Sequence, residues 1–120
     1  KGKFRLVEQV NVDFFHKVTT DIRFSLNQDI LARHARKDNV ALVTVLRHAD
    51  GAMLIVVNVH LYWDPEYADV KLFQTVMVLE EIERVKGRYK GVPTILAGDF
   101  NSLNNSYVYN LVVRRTLDPD

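Results

Sequence analysis

Apolar residues at Phe4, Leu6, Val10, Val12 and Phe14 alternate with polar ones, the period of a half-buried strand. From Leu26 to Arg36 the apolar positions Leu26, Ile30 and Leu31 follow helical spacing, with Asn27 as a candidate cap, and predict a short helix. Val40–Leu46 and Ala52–His60 are rich in Val, Ile and Leu and flank the turn sequence His48-Ala49-Asp50-Gly51. This pattern predicts a hairpin whose second strand is buried on both faces.

Asp64-Pro65-Glu66 reads as a helix start: a capping Asp, Pro at the first helical position and an acid in the first turn. Val70, Phe73, Val76, Met77, Leu79, Ile82 and Val85 supply a wide apolar stripe, and Glu80 and Arg84 have the i, i+4 spacing of an ion pair. Gly87 is the expected stop, after Arg84 and Lys86 in the last turn. Pro93–Ala97 reads as a further buried strand, and Ser106–Val113 as another short helix. The order β, α, β, β, α, β, α predicts an α/β chain with mixed strand directions. Strands buried on both faces need more helices than these to cover them. Residues 1–120 are therefore expected to be the central to C-terminal part of one domain, incomplete at both ends.

Composition narrows the function. The chain has no Cys, which excludes disulfides, thiol nucleophiles and cysteine-held metals. The longest apolar run, Ala52–Val57, is far too short for a membrane-spanning helix. Sixteen basic residues stand against fifteen acidic ones, so no polybasic field is available to hold a nucleic acid by phosphate neutralisation alone. A nucleic-acid partner would need another source of positive charge, and metal ions are the usual one.

Polar residues gather where two apolar strands run out, in Asn58-Val59-His60-Leu61 and in Gly98-Asp99-Phe100-Asn101-Ser102. Side chains at i and i+2 of an extended segment share a face, which pairs Asn58 with His60 and Asp99 with Asn101. Carboxylate and amide oxygens are hard ligands that suit magnesium, an Asp can orient or deprotonate a water, and a His can donate to a phosphate oxygen. Taken singly, each signal fits a turn, a helix cap or a satisfied structural histidine better than a site; only the two clusters together bring the functional reading level with the structural one.

Thr94-Ile95-Leu96-Ala97-Gly98-Asp99-Phe100-Asn101-Ser102 resembles the Gly-Asp-Phe-Asn motif of the endonuclease/exonuclease/phosphatase superfamily. Asn58-Val59-His60-Leu61 is similar to its Asn-Thr-His-Leu strand, with Val59 in place of Thr. Within the superfamily, Tyr62-Trp63-Asp64-Pro65-Glu66-Tyr67, Asp69-Val70-Lys71, Gln74 and Arg36-Lys37-Asp38-Asn39 resemble the carbon catabolite repressor protein four-type deadenylases. The chain departs from them at Asn104, usually Pro, and at Tyr62, often a second His.

The resemblance implies part of a four-layer α/β sandwich (DNase I-like). It implies an exoribonuclease that shortens the poly(A) tail of messenger RNA from the 3′ end and releases 5′-AMP. By that likeness Asp99, Asn101 and His60 are catalytic, Asp99 and Asn101 face two magnesium ions, and Asn58, Pro65 and Trp63 bind substrate. Pro65 would cover an adenine. Trp63 would be either a base platform or a buried anchor beneath the helix. Arg33, Arg36 and Lys37 would meet RNA phosphates or form a solvated basic face. The implied partners are poly(A) RNA and the subunits of a deadenylase complex, with no membrane. The implied setting is the cytoplasm, with the nucleus as a second compartment. The family also needs an Asn and a metal-binding Glu upstream and a Ser-Asp-His motif downstream. Glu8 lies in a different motif, and Asp118-Pro119-Asp120 reaches no His. Two alternatives stay open: an inactive homologue that only binds RNA or a partner, and another phosphodiesterase of the superfamily.

Overall fold

The computed structural model describes residues 2–34 and 37–115. The Arg36 expectation and the Asp118-Pro119-Asp120 segment lie outside the described residues. Strands β1 (Phe4–Asp13), β2 (Val40–His48), β3 (Met53–His60) and β4 (Thr94–Asp99) form one four-stranded sheet in chain order. The first two pairings are antiparallel, and β3 pairs with β4 in parallel. Helices α1 (Phe14–Thr20), α2 (Ile22–Ser25) and α3 (Gln28–His34) fill the β1–β2 connection. The β3–β4 crossover is α4 (Ala68–Arg88), and α5 (Tyr107–Tyr109) follows β4 and runs into a wider π turn, Asn110–Arg114.

The hairpin forms as the pattern predicts, with Gly51 at φ 96° in its turn and Asp50 Oδ1 accepting from the Ala52 amide at 2.8 Å. β1 stops earlier than its alternation suggests. Asp13 accepts from the His16 amide at 2.9 Å and starts α1, so Phe14 is a buried helical residue and not a strand one. Asn27 does cap α3, accepting from the amides of Asp29 and Ile30, but this leaves Leu26 outside the helix and exposed.

The core lies on one face of the sheet. Val12, Ala41, Val43, Val45, Ile55, Val57 and Val59 pack there against Phe14, Val18, Met77, Val78, Ile82 and Val85. The register puts Leu42, Leu46, Leu54, Val56 and Ile95 on the opposite face, where Ile95 is 50% exposed. The expectation that β3 and the Pro93–Ala97 strand are buried on both faces is therefore corrected. Both are covered on one side only among the described residues, because all the helices that pack on the core lie on that side. The radius of gyration, 15.5 Å, exceeds the roughly 14 Å of a close-packed chain of this length, as a one-sided slab requires.

Three expectations for the long helix also change. Asp64 accepts from the Glu66 amide at 2.9 Å and Pro65 opens a 3₁₀ turn, after which α4 runs through Gly87 to Arg88. Arg84 pairs with Glu81 at 2.6 Å rather than with Glu80, which Arg23 takes from α2. The buried face of α4 holds Lys71, Gln74, Thr75 and Glu81 among Val70, Met77, Val78, Ile82 and Val85. Polar residues thus occupy inward positions beside the apolar stripe.

Candidate functional site

β3 and β4 end side by side. Asn58 is registered with Ala97 and His60 with Asp99, so Asn58, His60 and Asp99 share the open face of the sheet. Registered neighbours on adjacent strands lie about 5 Å apart at the backbone. Gly98 makes this approach possible. It sits at φ 134°, and a Cβ there would lie 1.9 Å from the Val59 carbonyl oxygen.

Asn101 joins the group by a different route from the one its spacing suggests. The strand ends at Asp99, and Asn101 takes a left-handed conformation with φ 45°. A non-glycine residue in that region costs on the order of 1 kcal/mol and persists only where its surroundings fix it. Three bonds do so. The Asn101 amide donates to Asp99 Oδ1 at 2.8 Å, its side-chain Nδ2 donates to the Leu61 carbonyl at 2.8 Å, and its own carbonyl accepts from Lys71 Nζ at 3.0 Å. These bonds leave Asp99 Oδ2 and Asn101 Oδ1 uncommitted to the loop.

The His60 side is built in a similar way. Gln74, fully buried, accepts from the Tyr62 amide at 3.0 Å through Oε1, and its Nε2 donates to Asn39 Oδ1 at 3.5 Å. Asn39 in turn donates to the His60 carbonyl at 3.0 Å. Lys71 and Gln74, one helical turn apart on α4, therefore reach the two strand ends that carry the site.

Of the residues expected to bind substrate, Trp63 and Pro65 line a groove of about 420 Å³ with Lys71, Asn101 and Tyr107, whereas Asn58 lies outside it on the open face of the sheet. Trp63 is 66% exposed, which corrects the buried-anchor reading. Its ring centre lies 6.1 Å from that of Tyr62, which Tyr67 of the 3₁₀ turn meets edge-on at 5.3 Å. For Arg33 and Lys37 the solvated basic face is corrected as well. Arg33 grips the Asp69 carboxylate and the Glu66 carbonyl, and it holds the Asp69 carboxyl below the usual carboxylate range. The Lys37 ammonium lies 4.1 Å from the Tyr67 ring centre and 4.8 Å from that of Tyr62.

Hard oxygen donors are present in Asp99 and Asn101 and suit a magnesium ion in type. They are a partial set: among the described residues no three His, Cys, Asp or Glu side chains converge on a metal-sized site. Glu8, the other carboxylate weighed from sequence, is held below its ordinary range by Tyr89 and Arg88 at the far end of α4. It takes no part here.

Sequence reasoning did not give Lys71, Gln74 and Asn39 these positions. The available signal was a polar residue at each of several inward helical positions, 71, 74, 75 and 81.

No family model matches the chain. It is 48% identical, over 98% of its length, to the probable CCR4-Not complex 3′-5′-exoribonuclease subunit Ccr4 of Enterocytozoon bieneusi, and it spans about a quarter (24%) of that relative. Among solved structures it is similar to ANGEL2, described as a 2′,3′-cyclic phosphatase, with TM-score 0.73 and 33% identity over 93% of this chain and 29% of that one. The human Nocturnin catalytic domain has the same TM-score, 0.73, at 19% identity over 98% of this chain and 37% of that one, a likeness of fold alone.

Proposed function

Since the chain belongs to the endonuclease/exonuclease/phosphatase superfamily, as a homologue of a segment of its Ccr4 subunits, we propose that it forms the strand-end half of a poly(A)-specific 3′-exoribonuclease site in a subunit of a deadenylase complex. The observation that carries this reading is the register of His60 with Asp99 beside a groove walled by Trp63 and Pro65.

Water attacks the terminal phosphorus in line, Asp99 orients it and takes its proton, and the ribose 3′ oxygen leaves and is protonated. The products are 5′-AMP and a chain one nucleotide shorter. His60 donates to a non-bridging phosphate oxygen as charge develops there. The side-chain amide of Asn58, on the same face, donates to the phosphate. Magnesium ions, when bound, neutralise phosphate charge, and Asp99 and Asn101 are the donors this chain offers them. The ring of Pro65 and the indole of Trp63 give flat apolar cover to a base, which stacks without a hydrogen-bond code. The setting proposed for this activity is the cytoplasm, with the nucleus as a second compartment.

ANGEL2 supports a second reading, hydrolysis of a 2′,3′-cyclic phosphate end. One experiment separates the two. The full-length protein with magnesium is given an oligoadenylate with a free 3′ hydroxyl and, separately, the same oligomer ending in a 2′,3′-cyclic phosphate. Stepwise release of 5′-AMP from the first supports the deadenylase, and ring opening of the second without shortening supports the alternative. In the deadenylase case Asp99→Ala abolishes shortening while the protein stays folded. Pro65→Ala reduces the preference for adenine over other bases more than it reduces cleavage.

A further inference from the structure

Neither strand end is held by the sheet alone. We infer that Lys71 and Gln74 are positioning residues for the reaction, Lys71 acting through Asn101 and Gln74 acting through Asn39 on His60. This inference rests on the reading of Asp99, Asn101 and His60 as the reacting set.

The geometry argues for more than filling space. Lys71 is only 7% exposed, yet it sends its ammonium to a backbone carbonyl at 3.0 Å. An ammonium is costly to bury, and a helix at this position could pack a Leu or Met at lower cost. The carbonyl it meets belongs to Asn101, which with Arg115 is one of two described non-glycine residues at positive φ. The remaining two bonds to Asn101 come from its own strand-end neighbours, Asp99 and Leu61, so Lys71 is its link to a rigid helix.

Gln74 repeats the arrangement one turn later. It is buried, it spends Oε1 on the amide of Tyr62 and Nε2 on Asn39, and Asn39 fixes the carbonyl of His60. The 21-residue helix thus references both halves of the site to one element. A reacting group held off its productive position by about 1 Å loses roughly a hundredfold in rate. Small displacements of Asn101 and His60 are what these two side chains oppose.

The test uses the full-length protein with magnesium and an oligoadenylate, and a double-mutant cycle. Asp99→Ala comes first. If it keeps the wild-type rate, the reacting set is wrong and the inference falls with it. If it is inactive, Lys71→Met is expected to lower kcat roughly tenfold or more with KM within about twofold. Lys71→Arg, which restores a cationic donor, is expected to recover most of that loss. In an Asn101→Ala background, Lys71→Met is expected to cost less than about twofold, because the group it positions is already gone. Gln74→Leu is expected to lower kcat in the same manner, and Gln74→Glu, which keeps the acceptor for Tyr62, to lower it less. The inference is overturned, with the site reading intact, in any of three cases. These are a Lys71→Met or Gln74→Leu variant that keeps the wild-type kcat, losses in the cycle that multiply, and a Lys71→Arg variant as impaired as Lys71→Met while both melt at the wild-type temperature.

Discussion

A methyl group at Gly98 would meet the backbone carbonyl of Val59 at 1.9 Å, and backbone cannot rotate aside as a side chain can. Gly98→Ala is therefore expected to force β4 away from β3 where Asp99 is registered with His60. The expected cost is about 3 kcal/mol or more, in the range reserved for strain at a special backbone position. A denaturant midpoint for the variant equal to that of the wild type would show that the strands separate freely at this point. The glycine could be read in the sequence as part of a Gly-Asp-Phe-Asn run, but its reason could not, since a close approach between strands is a tertiary fact. Asn101 makes the same point. Period-two spacing puts Asp99 and Asn101 on one face, and they do lie together, yet the strand has already ended. An Asp99 side chain that accepts from the Asn101 amide brings them together instead.

At the scale of elements, α4 was legible in outline and obscure in detail. Its Asp-Pro-Glu start and apolar stripe were visible because local rules set them. Its buried polar face was not, because Lys71 and Gln74 find partners on loops distant in sequence, and Glu81 binds Lys17 of α1 as well as its helix neighbour Arg84. The same holds for the β1–β2 connection, read as one helix and folded as three short ones. There Asp13 and Asp21 stop and restart the chain by capping. The ion pairs of this layer make acid stability predictable. Arg33 lowers the Asp69 carboxyl, and Arg23 lowers Glu80. Burial pushes Glu81 up, but Arg84 and Lys17 outweigh it and hold it below the ordinary range. Burial also lowers His34, which is 2% exposed and lies edge-on to Phe73. In each case the unfolded chain takes up the proton at a higher pH than the folded one, so acid favours unfolding. The His34 contribution is complete above about pH 6.5 and declines below it, and the carboxylate contributions decline below about pH 4. In the full-length protein His34→Phe is expected to flatten the fall in melting temperature between pH 7 and pH 5 relative to wild type and to leave the steeper loss near pH 3. Parallel curves for the two proteins from pH 7 to pH 5 would remove His34 from this account.

At the scale of the molecule, among the described residues the helices cover one side of the sheet, and the other side carries both the candidate site and an apolar surface. Phe4, Leu6, Leu46, Leu54, Val56 and Ile95 share that side by register and lead toward Asn58, His60 and Asp99. Phe4, Leu6 and Ile95 are each about half exposed. Contiguous apolar surface of this kind binds something or aggregates. A small core leaves a net stability of only a few kcal/mol, and a sheet with one bare face gives up much of what burial would contribute. Residues 1–120 expressed alone are therefore expected to associate through this face and to unfold without a sharp transition. Because they supply one carboxylate and amide oxygens where the proposed pair of magnesium ions would require more, they are also expected to leave an oligoadenylate uncut. Size-exclusion chromatography, a thermal melt and a magnesium-dependent cleavage assay on the 120-residue chain check all three. Replacing Leu54 and Ile95, on neighbouring strands of the bare face, with Thr separates the causes. If the face drives association, the double variant elutes later than the parent segment and remains inactive. A monomeric wild-type segment that melts cooperatively and shortens the oligoadenylate would mean that one sheet and its helices suffice both for the fold and for the chemistry.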